Sequence, residues 1–374
     1  MAYLGQDIPK LGFGLMRLPT TADGGIDIPQ TSEMVDIFLA NGFKYFDTAY
    51  GYSNGESEKA IKKALVERYP RDSYYLATKL PAWDAAVTTA EEARNLTVTS
   101  LERTGAGYFD FYLLHNLGQN RTAKFEEYKI WDYARELKEK GLVKHWGFSF
   151  HDSAELLDKI LTEHPDPEFI QLQINWADWD APNVQSRDCL EVAAKHNKPV
   201  VIMEPVKGGM LAAPAQSIRD VFDAFGGGKS YSSWAIRFAA SQPNVITVLS
   251  GMSNVEQMRD NTSYMKDFKP LSEAELEVIE KARAALKKIP SVPCTACKYC
   301  VPGCPQNIQI PDIFDAMNRE IVFGDKQSAK FGYTWGTNGS GKASDCVRCG
   351  SCERVCPQKI RIPDVLREAA AKYE

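Results

Sequence analysis

The chain lacks any stretch of about 18 consecutive apolar residues, the length a membrane-crossing helix needs. Its first ten residues also lack a basic segment followed by an apolar run. A soluble, cytoplasmic protein is the expectation. A strong charge of one sign is missing too: 44 Lys and Arg stand against 49 Asp and Glu, a formal net charge of -5 with the signs interspersed. That balance argues against nucleic acid or an anionic membrane as a partner and favours small molecules or proteins. Cysteine is nearly absent from most of the chain, since eight of the nine fall within 294–356. Such crowding excludes a disulfide framework spread over a secreted fold and points to metal binding in a reducing compartment. Cys189, far from the rest, reads as an ordinary buried thiol.

What is present is enough apolar residue, 44% of 374, to bury a large core plus a small one. Up to about residue 290, short apolar runs alternate with longer helical patterns, the signature of repeated βα units around a parallel sheet. Eight strands are expected, at 11–15, 44–48, 74–79, 109–115, 144–149, 169–174, 199–203 and 245–249. Eight strands with intervening helices favour a closed (β/α)8 TIM barrel over an open sheet. Helix stops support the count: Asn41-Gly42, Pro70 and Gly141 each close a helical pattern. A last long helix opens at the capping box Ser272-Glu-Ala-Glu275 and runs towards Ile289-Pro290. The expected domains are therefore a barrel over 1–290 and a small cysteine-rich domain over 291–374.

The second domain is an internal repeat. Each unit holds a cysteine run, a Cys-Pro, a polar link, an Ile-Pro-Asp sequence and a short helix. The runs are Cys294-x2-Cys297-x2-Cys300-x3-Cys304-Pro305 and Cys346-x2-Cys349-x2-Cys352-x3-Cys356-Pro357. This is the spacing of bacterial two-cluster ferredoxins, in which the fourth cysteine serves the other cluster. Cys294, Cys297, Cys300 and Cys356 are thus assigned to one [4Fe-4S] cluster, and Cys346, Cys349, Cys352 and Cys304 to a second, in a ferredoxin-like α+β domain. Paired C-x2-C motifs also build zinc sites, and clusters can serve as staples for a small core.

In the barrel, Asp47, Tyr52, Lys79 and His115 stand at or just beyond the C-terminal ends of the second, third and fourth strands, the face where TIM barrels place their chemistry. A phenol ionises near pH 10, so acid-base work at neutral pH calls for a neighbouring cation, which Lys79 supplies while Asp47 holds the lysine.

The segments Gly42-Phe-Lys-Tyr-Phe-Asp-Thr-Ala-Tyr-Gly-Tyr52, Ala77-Thr-Lys79 and Asp110-Phe-Tyr-Leu-Leu-His115 resemble the signatures of the aldo-keto reductases. The likeness extends over most of 8–265, and the whole chain resembles the family's iron-sulfur branch. It implies an NAD- or NADP-dependent oxidoreductase in which Tyr52 gives a proton to a carbonyl oxygen while hydride arrives from the nicotinamide. Lys79 and Asp47 tune the tyrosine, and His115 orients the oxygen. The resemblance also puts Ser149 and Gln173 at the carboxamide, Met203 against the nicotinamide ring, and Gly251 and Asn261 in the adenosine-phosphate loop. Lys207-Gly208-Gly209 is a candidate for the pyrophosphate, since glycines let the backbone come close and lysine supplies charge. The sequence departs from the family pattern at Phe150, where many members have asparagine, and at Gly251 and Gln257, which lack the usual cation. NADH and NADPH both stay open.

Hydride transfer moves two electrons and a cubane moves one, so electron exchange by the clusters implies a partner protein or a further cofactor such as a flavin. The alternatives are a reductase with purely structural clusters, and a redox-sensing module whose barrel site is unused. Loops 81–87 and 116–124 are expected to shape a pocket for a small carbonyl or alcohol substrate, with Trp83, Trp176 and Trp179 either lining it or in the core.

Overall fold

The computed structural model describes residues 4–374 except 6, 85, 120, 295 and 357. Pro357 of the second Cys-Pro pair and one residue in each of loops 81–87 and 116–124 thus lie outside the described residues. The chain divides into two compact units. The first comprises Met1–Asp180, Val184–Lys207 and Ser232–Ser272, and the second Ala181–Asn183, Gly208–Tyr231 and Glu273–Glu374.

All eight expected strands form. They are β1 (Leu11–Gly14), β2 (Tyr45–Asp47), β3 (Tyr75–Leu80), β4 (Phe109–Leu117), β5 (Val143–Phe150), β6 (Phe169–Gln173), β7 (Val200–Met203) and β8 (Val245–Ser250). They pair in sequence order, all parallel, and β8 returns to β1 to close the barrel. Side chains alternate across each strand, so one parity fills the barrel and the other meets the outer helices. Tyr45, Ala77, Phe111, Leu113, Phe169 and Val201 form the inner core with Ile8. Their outward neighbours Phe46, Leu76, Tyr112, Leu114, Ile170 and Val200 join the larger core beneath the helices.

The helices start and stop where local chemistry dictates. Asp27 caps Ile28–Ala40 by accepting from Gln30 N at 2.9 Å, and Gly42 turns the chain back at φ 85. Thr89 and Glu92 form a reciprocal capping box at the head of Ala90–Thr104, which Gly105 ends in a left-handed conformation. The helix expected near Ser57 starts at Glu56, and its last turn widens to a π-helix over Lys62–Val66 before Pro70.

Gly147 marks the tightest point of the barrel wall. It pairs with Phe169 across β5 and β6, and a Cβ there would lie 2.1 Å from the Phe169 carbonyl oxygen. Gly147→Ala is therefore expected to force the two strands apart and to cost roughly 1–3 kcal/mol, read from the denaturant midpoint. An unchanged midpoint would contradict this register.

In the second unit, Gln216–Phe225 packs against Glu273–Leu286, and Lys229 pairs with Glu275 at 2.6 Å. The cysteine-rich region beyond is helical. Its repeat is visible as two helices that open on the same tripeptide, Ile310–Phe323 and Ile362–Tyr373, with Lys326–Gly336 between them. Proline in the first turn lacks the N–H that a helix start would leave unbonded, and its fixed φ suits the helix. Ile308, Ile310, Ile313, Phe314, Met317, Ile360, Ile362 and Leu366 form the core. Among the described residues the sheet part of the expected α+β domain reduces to one isolated parallel bridge, Ile308 with Gly341. The physical reason is length: each link between Cys-Pro and Ile-Pro has four residues, too few for a strand and a turn. No helix among the described residues is long and apolar enough to cross a membrane.

Candidate active site and cluster cavities

The strand alternation that puts Tyr45 and Ala77 inside the barrel also points Asp47 and Lys79 inward at its upper end. Lys79, 1% exposed, donates to Asp47 and to the Thr48 carbonyl at 2.8 Å. It also donates to the Tyr52 hydroxyl at 3.2 Å and lies 4.7 Å from the centre of the Tyr52 ring. His115 meets that ring edge-on, with centroids 6.0 Å apart. The four candidate catalytic residues thus converge on one point.

Their electrostatics depart from the simple expectation in one respect. Lys79 does pull the Tyr52 phenol towards ionisation, but burial opposes it more strongly, and the hydroxyl ends above its ordinary 10.0. Burial works most strongly against the Lys79 ammonium, yet the charges and hydrogen bonds of Asp47 and Tyr52 together outweigh it and hold the lysine protonated. His115 is driven well below its ordinary range by burial and then by the Lys79 charge, so it is neutral. Its Nδ1 is buried without a hydrogen-bond partner.

Several residues beyond these four surround and position them. Gln171, two residues before Gln173 on the inward face of β6, donates to the second Asp47 oxygen at 3.2 Å. Trp83 packs beside His115 and donates to its carbonyl at 2.6 Å. Trp176 is fully buried, and Trp179 packs edge-on against Phe238. Behind Tyr52, Arg103 donates to the Tyr50 carbonyl at 3.0 Å and pairs with buried Glu58, which accepts from Thr78 at 2.7 Å. Ser53, Asn54 and Gly55 all take left-handed backbones there, and a Cβ on Gly55 would lie 2.7 Å from the Arg103 guanidinium. Period-two parity could have found Gln171. Nothing local announces Arg103.

The residues placed by resemblance at the nicotinamide cofactor fall out as follows. Ser149 is buried and accepts from the Asn116 amide at 2.7 Å. Gln173 donates to Asp178 at 3.1 Å and bonds His151, which is held near pKa 4 by its surroundings and then by the Arg121 charge. Lys207 pairs with the same Asp178 at 2.6 Å. Met203 is the half-buried last residue of β7. Gly208 and Gly209 take φ values of 66 and 105. Gly251 follows β8 with open space where a side chain would stand, its nearest neighbour being the Gly14 oxygen at 3.8 Å. Asn261 is buried, donating to Ser250 and accepting from Tyr264, each at 2.7 Å.

The cysteines surround two cavities. One is lined by Cys294, Cys297, Cys300 and Cys356 with Ile310, Phe314 and Ile362. The other is lined by Cys304, Cys346, Cys349 and Cys352 with Ile308 and Leu366. Each quartet thus takes three thiols from one run and the fourth from the other. Ala296 and Arg348, Lys298 and Gly350, and Asn307 and Lys359 take positive φ at equivalent places in the two repeats. Such turns direct successive backbone N–H groups into one concavity, a device suited to an iron-sulfur anion. Burial raises Cys300 to about 12 and Cys352 to about 11, so these thiols ionise when a cation is present to bind them. Cys189 is 3% exposed and buried among apolar side chains.

Two family models match the chain: "Aldo/keto reductase family" over residues 10–284 and "4Fe-4S dicluster domain" over residues 293–360. Among curated proteins, the uncharacterized oxidoreductase YqkF of Bacillus subtilis is 22% identical over 308 residues, covering 73% of this chain and 92% of its own. An aldo-keto reductase of Mycolicibacterium smegmatis is 26% identical over 256 residues, covering 68% and 80%. Among solved structures, the holo form of aldo-keto reductase AKR11C1 from Bacillus halodurans superposes with a TM-score of 0.61 at 23% identity, over 74% of this chain and 93% of that one. An aldo-keto reductase from Klebsiella pneumoniae in complex with NADPH gives 0.56 at 21%, over 73% and 90%. At these identities the structural likeness shows the fold. The chain belongs to the aldo/keto reductase family and carries a 4Fe-4S dicluster domain after its barrel.

Proposed function

We propose that this oxidoreductase reduces carbonyl compounds at the barrel mouth with NADH or NADPH, and that its two cysteine quartets hold [4Fe-4S] clusters that exchange electrons with a redox partner. The barrel occupies 1–290 in this reading and the cluster domain 291–374. The observation that carries it is the buried chain Asp47–Lys79–Tyr52 with neutral His115 against the phenol ring.

A bound nicotinamide supplies the hydride. Met203 at the end of β7 and the bare backbone of Gly251 suit a flat ring and a close phosphate. The N-terminus of Val255–Met265, just beyond, suits an anion. Ser149, Gln173, Lys207, Gly208 and Asn261 complete the candidate contacts. Tyr52 Oη donates a proton to the substrate oxygen, and the Lys79 ammonium stabilises the phenolate that remains. His115, neutral, directs the oxygen towards Tyr52 without adding a charge.

The donor must hold its proton, and its pKa lies above 10.0. Carbonyl reduction is therefore expected to stay level in kcat from neutral pH to about pH 10 and to fall beyond it, as the phenol ionises. A fall near pH 7 would assign the proton to another group. The direct test is anaerobic oxidation of NADH and NADPH by a panel of aldehydes and ketones, with EPR before and after nicotinamide and with iron and sulfide counted. Turnover with near eight irons per chain supports the reading. No turnover with either nicotinamide, or zinc in place of iron, overturns it.

A further inference from the structure

The loop after β4 brings a guanidinium to the barrel mouth that the rest of the fold does not neutralise. Asn116 directly follows His115 in a left-handed conformation, φ 59, where β4 shifts register between Leu114 and Leu117. Arg121 folds back onto this turn, and its Nε donates to the Asn116 carbonyl at 2.6 Å, which fixes the plane of the guanidinium. Its two terminal nitrogens, on a half-buried side chain, make no hydrogen bond or ion pair among the described residues.

The carboxylate whose charge bears on Arg121 is Asp152. Its oxygens accept from the Gln119 and Ser153 amides at 2.9 and 2.8 Å, and it makes no ion pair with Arg121 among the described residues. Gly118 lies between the two groups: a Cβ there would be 2.9 Å from Arg121 Nη2 and 3.1 Å from Asp152 Oδ2, so glycine keeps this space open. The Arg121 charge is felt by His115 and by His151. Burial lowers the guanidinium's own pKa and outweighs the opposing pull of the Asp152 charge, the response of a cation that loses water without a direct ion pair. The nearby Nδ1 of His115 is buried and has no hydrogen-bond partner among the described residues.

We infer that Arg121 binds a carboxylate on the substrate, so that the compounds reduced here carry that group a few bonds from the carbonyl. This rests on the reading of the mouth as a carbonyl-reducing site. A guanidinium offers a carboxylate two parallel hydrogen bonds from one planar fork, which also fixes the direction in which the carbonyl points. The Asp152 charge close by disfavours a doubly charged phosphate in the same place.

The experiment compares kcat/KM for succinic semialdehyde and for butyraldehyde in the intact, cluster-loaded protein. The wild type is expected to favour the acid about ten- to a hundredfold, the usual size of a hydrogen bond to a charged group. Arg121→Gln brings the ratio towards one through the KM of the acid, and Arg121→Lys keeps part of it. A wild-type ratio near one overturns the inference. So does an equal loss for both substrates in Arg121→Gln, which would make Arg121 a strut for the Asn116 turn. Calorimetry with succinate on the NADP-loaded protein gives a readout that needs no turnover. Binding that disappears in Arg121→Gln supports the site even where no aldehyde is reduced, so failure of the reaction and failure of the anion site stay distinct. Binding that persists overturns the site.

Discussion

Tyr52→Phe is expected to lower kcat/KM for carbonyl reduction by about 10²- to 10⁴-fold while the protein keeps its fold. The substitution removes one oxygen. The ring keeps its edge-on contact with His115 and its place 4.7 Å from the Lys79 ammonium, and Lys79 keeps Asp47 and the Thr48 carbonyl. What disappears is the acidic hydrogen, and no other side chain here replaces it. His115 is neutral, with its pKa far below neutrality, and Lys79 is committed to Asp47. The measurement is anaerobic kcat/KM on wild type and variant, with circular dichroism and a thermal melt to show that the variant is folded. Unchanged turnover would revive the reading in which the barrel is a redox-sensing scaffold with an unused site.

Removing iron from the native protein by anaerobic chelation is expected to unfold the cysteine-rich region. Its core is small, and thiols are part of it: Cys300 and Cys352 are 8% and 7% exposed and pack with Ile310, Phe314, Ile360 and Ile362. The two cysteine-lined cavities open on that core. Without a filling, their apolar walls lose packing contacts that a small core cannot spare. Metal binding in such domains is coupled to folding. The expected signs are loss of the helical signal contributed by Ile310–Phe323 and Ile362–Tyr373, and new proteolysis after residue 293, with the barrel still resistant. Full retention of helix after iron loss would mean that the clusters add no stability, leaving electron exchange as their role.

How much of this was legible in the sequence follows from the range of the forces involved. The eight strands could be read because each is a short apolar run between helical patterns, a signal local to three to nine residues. The paired cysteine runs could be read because ligand spacing is set by the reach of the chain around a cluster. Asp47, Lys79 and His115 could be placed at strand ends for the same reason. The grouping of distant segments was less legible, because Gly208–Tyr231 and the helix Glu273–Leu286 fall in one compact unit with the cysteine-rich region through packing between residues distant in sequence.

The sequence by itself determined which side chains face the barrel and which thiols share a cavity, since both depend on periodicity and spacing along the chain. The tertiary structure alone decided their chemistry. It set the Tyr52 phenol above its ordinary pKa where the neighbouring lysine argued for the reverse, because desolvation sums over everything packed around a group. It occupied both ends of the Asn261 amide and tied Lys207 to Asp178. It also left the terminal nitrogens of Arg121 without an ion pair among the described residues, with the Asp152 charge across Gly118, since charge balance in a barrel mouth depends on loops that meet in space and not in sequence.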